Sequence, residues 1–361
     1  MKIVAVIMAG GRGERFWPRS RKNMPKQFLN LTADGKTMIQ HTVNRIDQLI
    51  DMEDIFIVTN KSYKDLVLEQ LPDIKEENII LEPASRNTAP CIGLVSIYVK
   101  NKYKYDETIM IVLPSDHLIK YNEIFLDSLN RAIEIAKEEK NMVTIGITPS
   151  YPETGYGYID FGYKDEDKRY SGAYKVNKFV EKPNLDKAKE YLASGKYLWN
   201  SGMFIWKTST ILNSFEEYLP EIYQGLDRIG NSIGTDIEEE VLRKEFLAFK
   251  SESIDYGIME KCRNIYTIPG NFGWDDVGSW LALERTYQTN EDGNIVDGNA
   301  ITIDVKNSII QAKDKLVATV GVENIIVVDT EDAILICDKN SVQEVKKVIE
   351  NLKVCNRNQY L

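Results

Sequence analysis

The chain has 361 residues, of which 43% are hydrophobic and 28% charged, and its formal net charge at pH 7 is −10. These values are typical of a globular protein and exclude extensive disorder, while the negative charge argues against general binding to nucleic acids or anionic membranes. No apolar run approaches the roughly 20 residues that span a bilayer, and the apolar stretch 3–9 is too short for a secretory signal.

Charge and cysteine distribution add two expectations. Residues 1–33 contain seven lysines and arginines, Arg12 among them, against the single acid Glu14. This cationic segment is consistent with a local site for a small polyanion, although a solvated basic loop has the same composition. The four cysteines are widely spaced without a Cys-x-x-Cys pair. Their spacing argues against a disulfide framework or a zinc site and indicates a reducing, cytoplasmic location.

The first half of the chain alternates apolar, β-branched runs with helical patterns. The strands are predicted over residues 2–8, 55–59, 78–81, 108–113 and 142–147. The helices are predicted over residues 38–50, 62–71, 89–103 and 123–140. This alternation predicts an α/β fold with a Rossmann-like, mostly parallel mixed sheet that is covered on both faces. In such sheets ligands bind beyond the carboxyl ends of the strands.

The second half is mixed and then becomes rich in short strands. Residues 151–287 carry predicted strands over 156–161, 174–181, 202–206 and 265–269, and predicted helices over 185–194, 208–219, 236–247, 256–261 and 279–287. After the polar stretch 289–294, strands are predicted over 300–305, 308–312, 316–320, 325–328 and 333–337, and a helix over 342–352. We therefore expect a catalytic domain over 1–288, with a substrate-facing subregion at 151–288, and a small β-rich domain over 289–361.

The strongest local motif follows the first predicted strand. Gly10-Gly11-x-Gly13-x-Arg15 places glycines where backbone N–H groups can approach phosphate oxygens closely. It is not a Walker loop, because no Gly-Lys-Ser/Thr follows, and Phe16 stands where a dinucleotide fingerprint needs its third glycine. The loop by itself is weak evidence for phosphate binding.

The continuation of the motif carries a resemblance to a known family. The glycine loop followed by Pro25-Lys26 resembles the signature loop of sugar-1-phosphate nucleotidyltransferases. Segments 16–21 and 25–29 are similar in particular to the bacterial mannose-1-phosphate guanylyltransferases. Five further segments resemble that family in order, namely 86–90, 113–117, 179–183, 199–204 and 274–280. Together the motifs span residues 1–283, which makes the resemblance specific.

The resemblance implies a nucleotide-diphospho-sugar transferase fold and a reaction of GTP with mannose 1-phosphate that yields GDP-mannose and diphosphate. Two polyanions must meet, so the site needs fixed cations, and Arg15 and Lys26 are expected at the triphosphate. Asp116 and Asp276 are expected to hold Mg²⁺, which usually takes one or two protein carboxylates. Asp275 competes with Asp276, and the Asp-x-Gly match favours Asp276.

The other binding residues also come from the resemblance. Nucleotide contacts are expected at Gly10, Gly11, Gly13, Arg15, Lys26, Glu82, Asn87 and Asp116, with Glu82 and Asn87 near the purine. Sugar-phosphate contacts are expected at Gly157, Glu181, Lys182, Asn200 and Asp255, with Lys182 at the 1-phosphate. Structural roles stay open for Gly157, Asn200 and Asp255, and an Asp in the position of Asp116, directly after a strand, is often only the N-cap of the next helix.

The last part of the chain bears on activity and assembly. Many members of this family carry a phosphomannose isomerase barrel, whereas about 70 residues follow Thr289 here and none is histidine. We therefore expect guanylyltransferase without isomerase activity. The tail resembles the short β-helix-like appendage of single-function members, which often mediates dimer contacts, so a homodimer is expected.

Two alternatives remain open. One is transfer to another sugar phosphate or from another nucleotide. The other is a non-catalytic subunit that senses nucleotide sugars, a type that loses the loop arginine, the lysine or the metal carboxylates. Arg15, Lys26, Asp116 and Asp276 are all present, which argues against it.

Overall fold

The computed structural model describes residues 1–11, 13–104, 107–138, 140–162 and 169–361, and Arg12 of the cationic segment lies outside them. The strands are β1 Ile3–Met8, β2 Ile55–Asn60, β3 Ile79–Glu82, β4 Ile109–Pro114, β5 Leu118–Ile119, β6 Met142–Ile147, β7 Tyr158–Asp160, β8 Tyr174–Lys175, β9 Lys178–Val180, β10 Tyr197–Lys207, β11 Ile265–Gly270, β12 Trp274–Asp275, β13 Ile295–Ile303, β14 Ile309–Val320, β15 Ile325–Asp329 and β16 Ile334–Asp338. The α-helices are α1 Met38–Asn44, α2 Lys64–Gln70, α3 Thr88–Tyr103, α4 Asn122–Lys137, α5 Leu185–Ser194, α6 Thr208–Tyr218, α7 Pro220–Ser232, α8 Glu238–Ala248 and α9 Val345–Val354.

The large sheet is mixed and mostly parallel in its first half. Its strand order is β3-β2-β1-β4-β10-β6-β11-β8, with β7 and β9 paired off this path. Strand β1 pairs in parallel with β2 and β4, and β6 pairs in parallel with β11, whereas β10 runs antiparallel between β4 and β6. This topology confirms the fold class predicted from the sequence. The prediction succeeds because near-continuous apolar strands need cover on both faces of the sheet.

The described chain divides into two compact units that are not continuous in sequence. The first unit comprises residues 1–10, 43–114 and 119–274, and the second comprises residues 11–42, 115–118 and 275–361. The core of the first unit packs α3 and α6 against the sheet, with α7 packed on these two helices, around the fully buried Phe204, Trp206 and Phe215. Burial of aromatic side chains of this size is the main stabilising term of such a core.

The second unit combines a four-stranded sheet with residues from the start of the chain. Strands β13, β14 and β15 pair in parallel and β16 closes the sheet antiparallel. Phe16 packs edge-to-face on Trp280 with ring centroids 5.2 Å apart. The indole of Trp17 donates to the carbonyl oxygen of Tyr360 over 2.8 Å, across 343 positions of sequence. Residues 11–42 are therefore fastened to the C-terminal part of the chain inside this unit.

Several elements differ from the sequence prediction. The sequence does not predict helix α7, although Pro220 stands at its first turn, where proline is favoured. Predicted strands 308–312 and 316–320 form the single strand β14, and the predicted strand 174–181 is two short strands, β8 and β9. The predicted helix at 256–261 is one π-helical turn over Asp255–Met259.

Two further findings concern the whole described chain. No helix in these residues is both long enough and apolar enough to cross a membrane. All four cysteines are free thiols, and Cys91 is buried. The division predicted at residue 289 stays a prediction, since the compact units follow packing and cross that position.

Candidate active site

The glycine loop packs closely against Lys26 at Gly13. Gly13 adopts a left-handed backbone with φ 59° and ψ 35°, directly before a 3₁₀ turn over Glu14–Phe16. A Cβ at Gly13 would lie only 2.1 Å from the Cβ of Lys26. Glycine is therefore required at this position both by its conformation and by the close approach of Lys26. In contrast, a Cβ at Gly11 would meet nothing within 4 Å.

Lys26 connects the two carboxylate-bearing segments of the second unit. Its side chain is buried, and Nζ donates to Oδ2 of Asp116 at 2.8 Å and to the carbonyl oxygen of Asp276 at 2.5 Å. Asp116 comes two residues after strand β4 ends at Pro114. A buried ammonium without such partners would be strongly destabilising, so the three residues form one electrostatic group.

The pKa of the Asp116 carboxyl reflects this group. Burial of the carboxylate raises its pKa, but the positive charge of Lys26 and its hydrogen bond act in the opposite direction, with a contribution from His117. The net result is a pKa below the ordinary value of an aspartic acid, so Asp116 is ionised at neutral pH. His117 lies 4.0 Å from Oδ1 of Asp116, measured at Nε2.

The structure distinguishes the two neighbouring aspartates at 275 and 276. Asp275 forms an ion pair with Arg285 and accepts a hydrogen bond from the backbone N–H of Val277 at 2.7 Å. Val277 is fully buried with φ 46°, a strained conformation for a β-branched residue. This turn leaves the Asp276 carboxylate beside Gly278, where a Cβ would lie 2.7 Å from its Oδ2. Asp275 is therefore structural.

These residues line one cavity of about 420 Å³, which we call the charged cavity. Its lining residues all belong to the second unit and are Gly13, Glu14, Arg15, Phe16, Lys26, Asp116, His117, Asp276, Val277, Gly278 and Lys346. Arg15 donates from Nη1 to the carbonyl oxygen of Gly278 at 3.3 Å, and its buried Nε has no partner among the described residues. The cavity thus brings together the four residues predicted to be catalytic.

A second group of predicted residues meets in the first unit, and we call it the carboxylate–amide cluster. Asn200 donates from Nδ2 to Oδ1 of Asp255 at 2.6 Å, and its backbone N–H donates to the carbonyl oxygen of Gly157 at 2.8 Å. A Cβ at Gly157 would lie 2.6 Å from Oε2 of Glu181. Burial raises the pKa of Asp255 to about 6, with the nearby charge of Glu181 adding to the effect.

Lys182 stands at the edge of this cluster. Its backbone has φ 43°, and its Nζ lies 3.1 Å from Oε1 of Glu181 with the side chain 64% exposed. The pairing is therefore weak and screened, so the ammonium can exchange Glu181 for an arriving anion at little cost.

The two residues predicted to contact the purine are placed differently from each other. Glu82 is buried, and a Cβ at Gly10 would approach its Oε2 to 3.3 Å. Burial raises the pKa of Glu82 to about 7, only partly offset by a hydrogen bond with Cys91. Asn87, with φ 69°, caps helix α3 by accepting from the N–H of Thr88 at 2.8 Å. Asn87 therefore acts as the N-cap of α3. Its hydrogen bond goes to Thr88 and not to Glu82.

Lys346 lines the charged cavity although it lies outside every motif that the sequence reasoning singled out. Lys346 belongs to α9, and nothing in the local sequence Val345-Lys346-Lys347 distinguishes it from a solvated helix lysine. A metal centre built by protein alone is also absent from the described residues, since no three His, Cys, Asp or Glu side chains cluster to hold an ion.

The fold and the charged cavity define the class of protein. The model of the nucleotidyl transferase family matches residues 4–293, and the model of the MannoseP isomerase/GMP-like β-helix domain matches residues 298–352. Together they account for most of the chain. The protein is an enzyme of the nucleotidyltransferase class.

Comparison with individual proteins narrows the class. The chain is 40% identical over 362 residues to the mannose-1-phosphate guanylyltransferase of Escherichia coli K12, covering 99% of this chain and 75% of that protein. It is 41% identical over 364 residues to the enzyme of that name from Salmonella muenchen, with the same two coverages. A solved structure from Thermus thermophilus, described as a mannose-1-phosphate geranyltransferase, has a TM-score of 0.87 and 33% identity, and covers 98% of this chain and 100% of that one. The chain belongs to the bacterial mannose-1-phosphate guanylyltransferase family, which confirms the resemblance seen in the sequence.

Proposed function

We propose that the chain transfers the GMP group of GTP to mannose 1-phosphate and releases diphosphate. An oxygen of the sugar phosphate attacks the α-phosphorus, the bond from that phosphorus to the oxygen bridging to the β-phosphate breaks, and diphosphate leaves with the electron pair. Both reactants are anionic, so the main barrier the protein must lower is electrostatic.

The observation that carries this proposal is the charged cavity. Its lining joins glycine backbone with basic side chains, Arg15 and Lys26 among them, and with the carboxylates of Asp116 and Asp276, which are the groups that a nucleoside triphosphate with a divalent cation requires. The proposed sugar, mannose, and the proposed base, guanine, are taken from the names of the relatives.

The residues fit Mg²⁺. Asp116 is held ionised by Lys26, and the Asp276 carboxylate is not used by the ion pair that occupies Asp275. Two hard carboxylates suit an ion that completes its coordination with water and phosphate oxygens. When bound, Mg²⁺ would neutralise phosphate charge and polarise the phosphoryl group.

The cationic side chains have separate tasks in this proposal. Lys26, fixed by two hydrogen bonds, presents a preorganised positive charge to the developing negative charge of the triphosphate. Arg15 is half-buried, and its guanidinium is proposed to donate to a phosphate oxygen of the triphosphate.

The carboxylate–amide cluster is proposed to bind the sugar. Asn200 and Asp255 offer amide and carboxylate groups to sugar hydroxyls, and the missing side chain at Gly157 makes room for the Glu181 carboxylate beside them. The exposed Lys182 is proposed to bind the 1-phosphate. Glu82 is proposed to accept hydrogen bonds from guanine N1–H and N2–H₂, which adenine cannot supply in the same way.

We also propose that the protein works as a cytoplasmic homodimer. Support comes from apolar side chains on the C-terminal sheet that are open to solvent, with Ile301 49%, Val320 62% and Ile336 71% exposed. Ile301 and Val320 lie on the paired strands β13 and β14, and exposed apolar side chains of this kind are candidates for contact with a second copy. Sedimentation velocity of the wild type and of Ile336→Lys would detect the loss of a dimer.

The proposed reaction is tested by a matrix of four nucleoside triphosphates against several hexose 1-phosphates with Mg²⁺, read by mass spectrometry of the nucleotide sugar. We expect GDP-mannose as the dominant product. A different preferred pair would move the assignment to another nucleotidyltransferase activity. No product with any pair, from protein that binds GDP-mannose, would favour a sensing subunit.

A further inference from the structure

A side chain from the C-terminal helix lines the charged cavity. Lys346 is the second residue of α9 and, among the described residues, the one lining residue that this helix contributes. The glycine loop, Lys26, Asp116 and Asp276 all come from the segments that the sequence motifs single out, whereas α9 lies in the β-helix-like domain. The cavity is therefore completed by a part of the chain with no assigned role in binding substrates.

The charges of the lining show what Lys346 adds. In the part of the chain that the structure describes, three lining carboxylates, from Glu14, Asp116 and Asp276, face three lysine and arginine cations, from Arg15, Lys26 and Lys346. Without Lys346 these carboxylates would outnumber these cations. An excess of negative charge would oppose the entry of a polyphosphate.

Three of the other charged residues of the cavity already have ionic partners in the protein. Lys26 is engaged by Asp116, and Glu14 lies 3.5 Å from Lys353 of the same helix. Within the described part of the chain, no carboxylate lies at ion-pair distance from the Lys346 ammonium, and the side chain is exposed. Its ammonium can therefore bind an arriving anion without first breaking an internal ion pair.

The backbone under Lys346 is firmly placed. The flanking Val345 and the later Ile349 are buried in the same apolar cluster as Phe16. Helix α9 packs on the turn Glu14–Phe16, and the pair formed by Lys353 and Glu14 adds a second link between the helix and that turn. A long side chain on such a fixed base samples a limited volume at the mouth of the cavity, which lowers the entropy lost on binding.

We propose that Lys346 is a third polyphosphate-binding cation, so that the C-terminal domain takes part directly in binding the nucleotide. The proposal rests on the proposed function in one respect, that the charged cavity receives the triphosphate. Lys346 contacts the phosphate chain of GTP in the forward reaction and diphosphate in the reverse reaction. Lys346 therefore strengthens the binding of GTP and of diphosphate and does not affect the binding of the sugar phosphate.

The test compares three variants: Lys346→Ala, Lys346→Arg and the control Lys347→Ala. Lys347 is adjacent on the same helix turn but pairs with Glu344 and does not line the cavity. The first measurement is calorimetric binding of inorganic diphosphate with Mg²⁺ at low salt. The second is the KM of each substrate in the forward reaction, with the melting temperature of every variant recorded.

We expect Lys346→Ala to weaken diphosphate binding and raise the KM of GTP about 10-fold, the usual effect of losing one charge-assisted hydrogen bond. Lys346→Arg should stay within about 3-fold of the wild type, because it keeps the charge. Lys347→Ala should match the wild type, and all three should melt alike.

Three results would decide against parts of this account. Equal effects of Lys346→Ala and Lys347→Ala would overturn the role of Lys346, as would a change confined to the KM of the sugar phosphate. Diphosphate binding that depends on Lys346 in a protein that makes no nucleotide sugar would instead overturn the proposed function and leave the anion site standing.

Discussion

Gly13→Ala should inactivate the enzyme while leaving it folded. The methyl group would be placed 2.1 Å from the Cβ of Lys26, far inside van der Waals contact, and 3.0 Å from its backbone nitrogen. Relief requires Lys26 to move, and the Nζ that bonds Asp116 and Asp276 moves with it. A steric clash between the two Cβ atoms is therefore expected to displace the positive charge of Lys26.

The magnitude has two parts. A non-glycine residue in the left-handed conformation costs about 1–2 kcal/mol of stability. The close contact with Lys26 adds an overpacking cost of about 1–3 kcal/mol to this loss of stability. A shift of about 1 Å in a positioned catalytic group costs roughly 100-fold in rate. We therefore expect a clear drop in melting temperature and, at temperatures where the variant is folded, a loss of turnover of about 100-fold or more.

Gly195→Ala is the matched control. Gly195 has φ 64° and ψ 14°, close to Gly13, but a Cβ there would meet nothing within 4 Å. It should show the same backbone cost in urea denaturation with normal turnover in a diphosphate-release assay. If Gly13→Ala retained activity equal to that of Gly195→Ala, the claim that Gly13 positions Lys26 would be refuted.

Three further predictions address the other proposed roles. Asp116→Asn should keep a normal circular dichroism spectrum but lose at least about 100-fold in turnover, and near-normal rates would remove Asp116 from the metal site. Lys182→Ala should raise the KM of mannose 1-phosphate about 10-fold, and an effect on GTP alone would show that the two anion sites had been exchanged. The pKa of Asp255 is raised to about 6, above the unfolded value of about 4, so the unfolded chain loses its proton first and stability falls as pH rises from about 4 to about 6. In urea titrations at pH 4.5 and 7, Asp255→Asn should reduce this fall and leave the part that is due to Glu82, whose pKa is also raised, and an unchanged fall would show that Asp255 does not contribute to it.

Much of the fold could be predicted because the first-unit strands carry uninterrupted apolar runs. The pattern predicts the strand over Met142–Ile147 to the residue, and β1 to within one. Helix α7 escapes prediction because Gly225 and Gly230 lower its helix propensity, although Ile222, Leu226 and Ile229 keep a helical period. Both glycines are explained by tertiary packing, since their Cβ atoms would approach Phe249 and Ile97 to 2.3 Å and 2.9 Å. Local sequence could not reveal those neighbours.

Site residues that stand in local sequence motifs could be predicted. Site residues that depend on contacts with distant parts of the sequence could not. Arg15, Lys26 and Asp116 stand in recognisable strings, and their grouping in one cavity agrees with the expectation, while their roles remain predictions. Lys346 could not be found, because a surface lysine on an amphipathic helix has no signature of its own. Likewise, only the ion pair with Arg285 shows that Asp275 has a structural task.

The bond from Trp17 to Tyr360 has a consequence for biosynthesis. A catalytic loop encoded near the start of the chain reaches its final contacts only after Tyr360 has been made, 343 positions later. Long-range contacts of this kind form late, so a nascent chain on the ribosome holds an unassembled charged cavity for most of elongation. Nucleotide chemistry would begin only once the C-terminal domain had emerged from the exit tunnel.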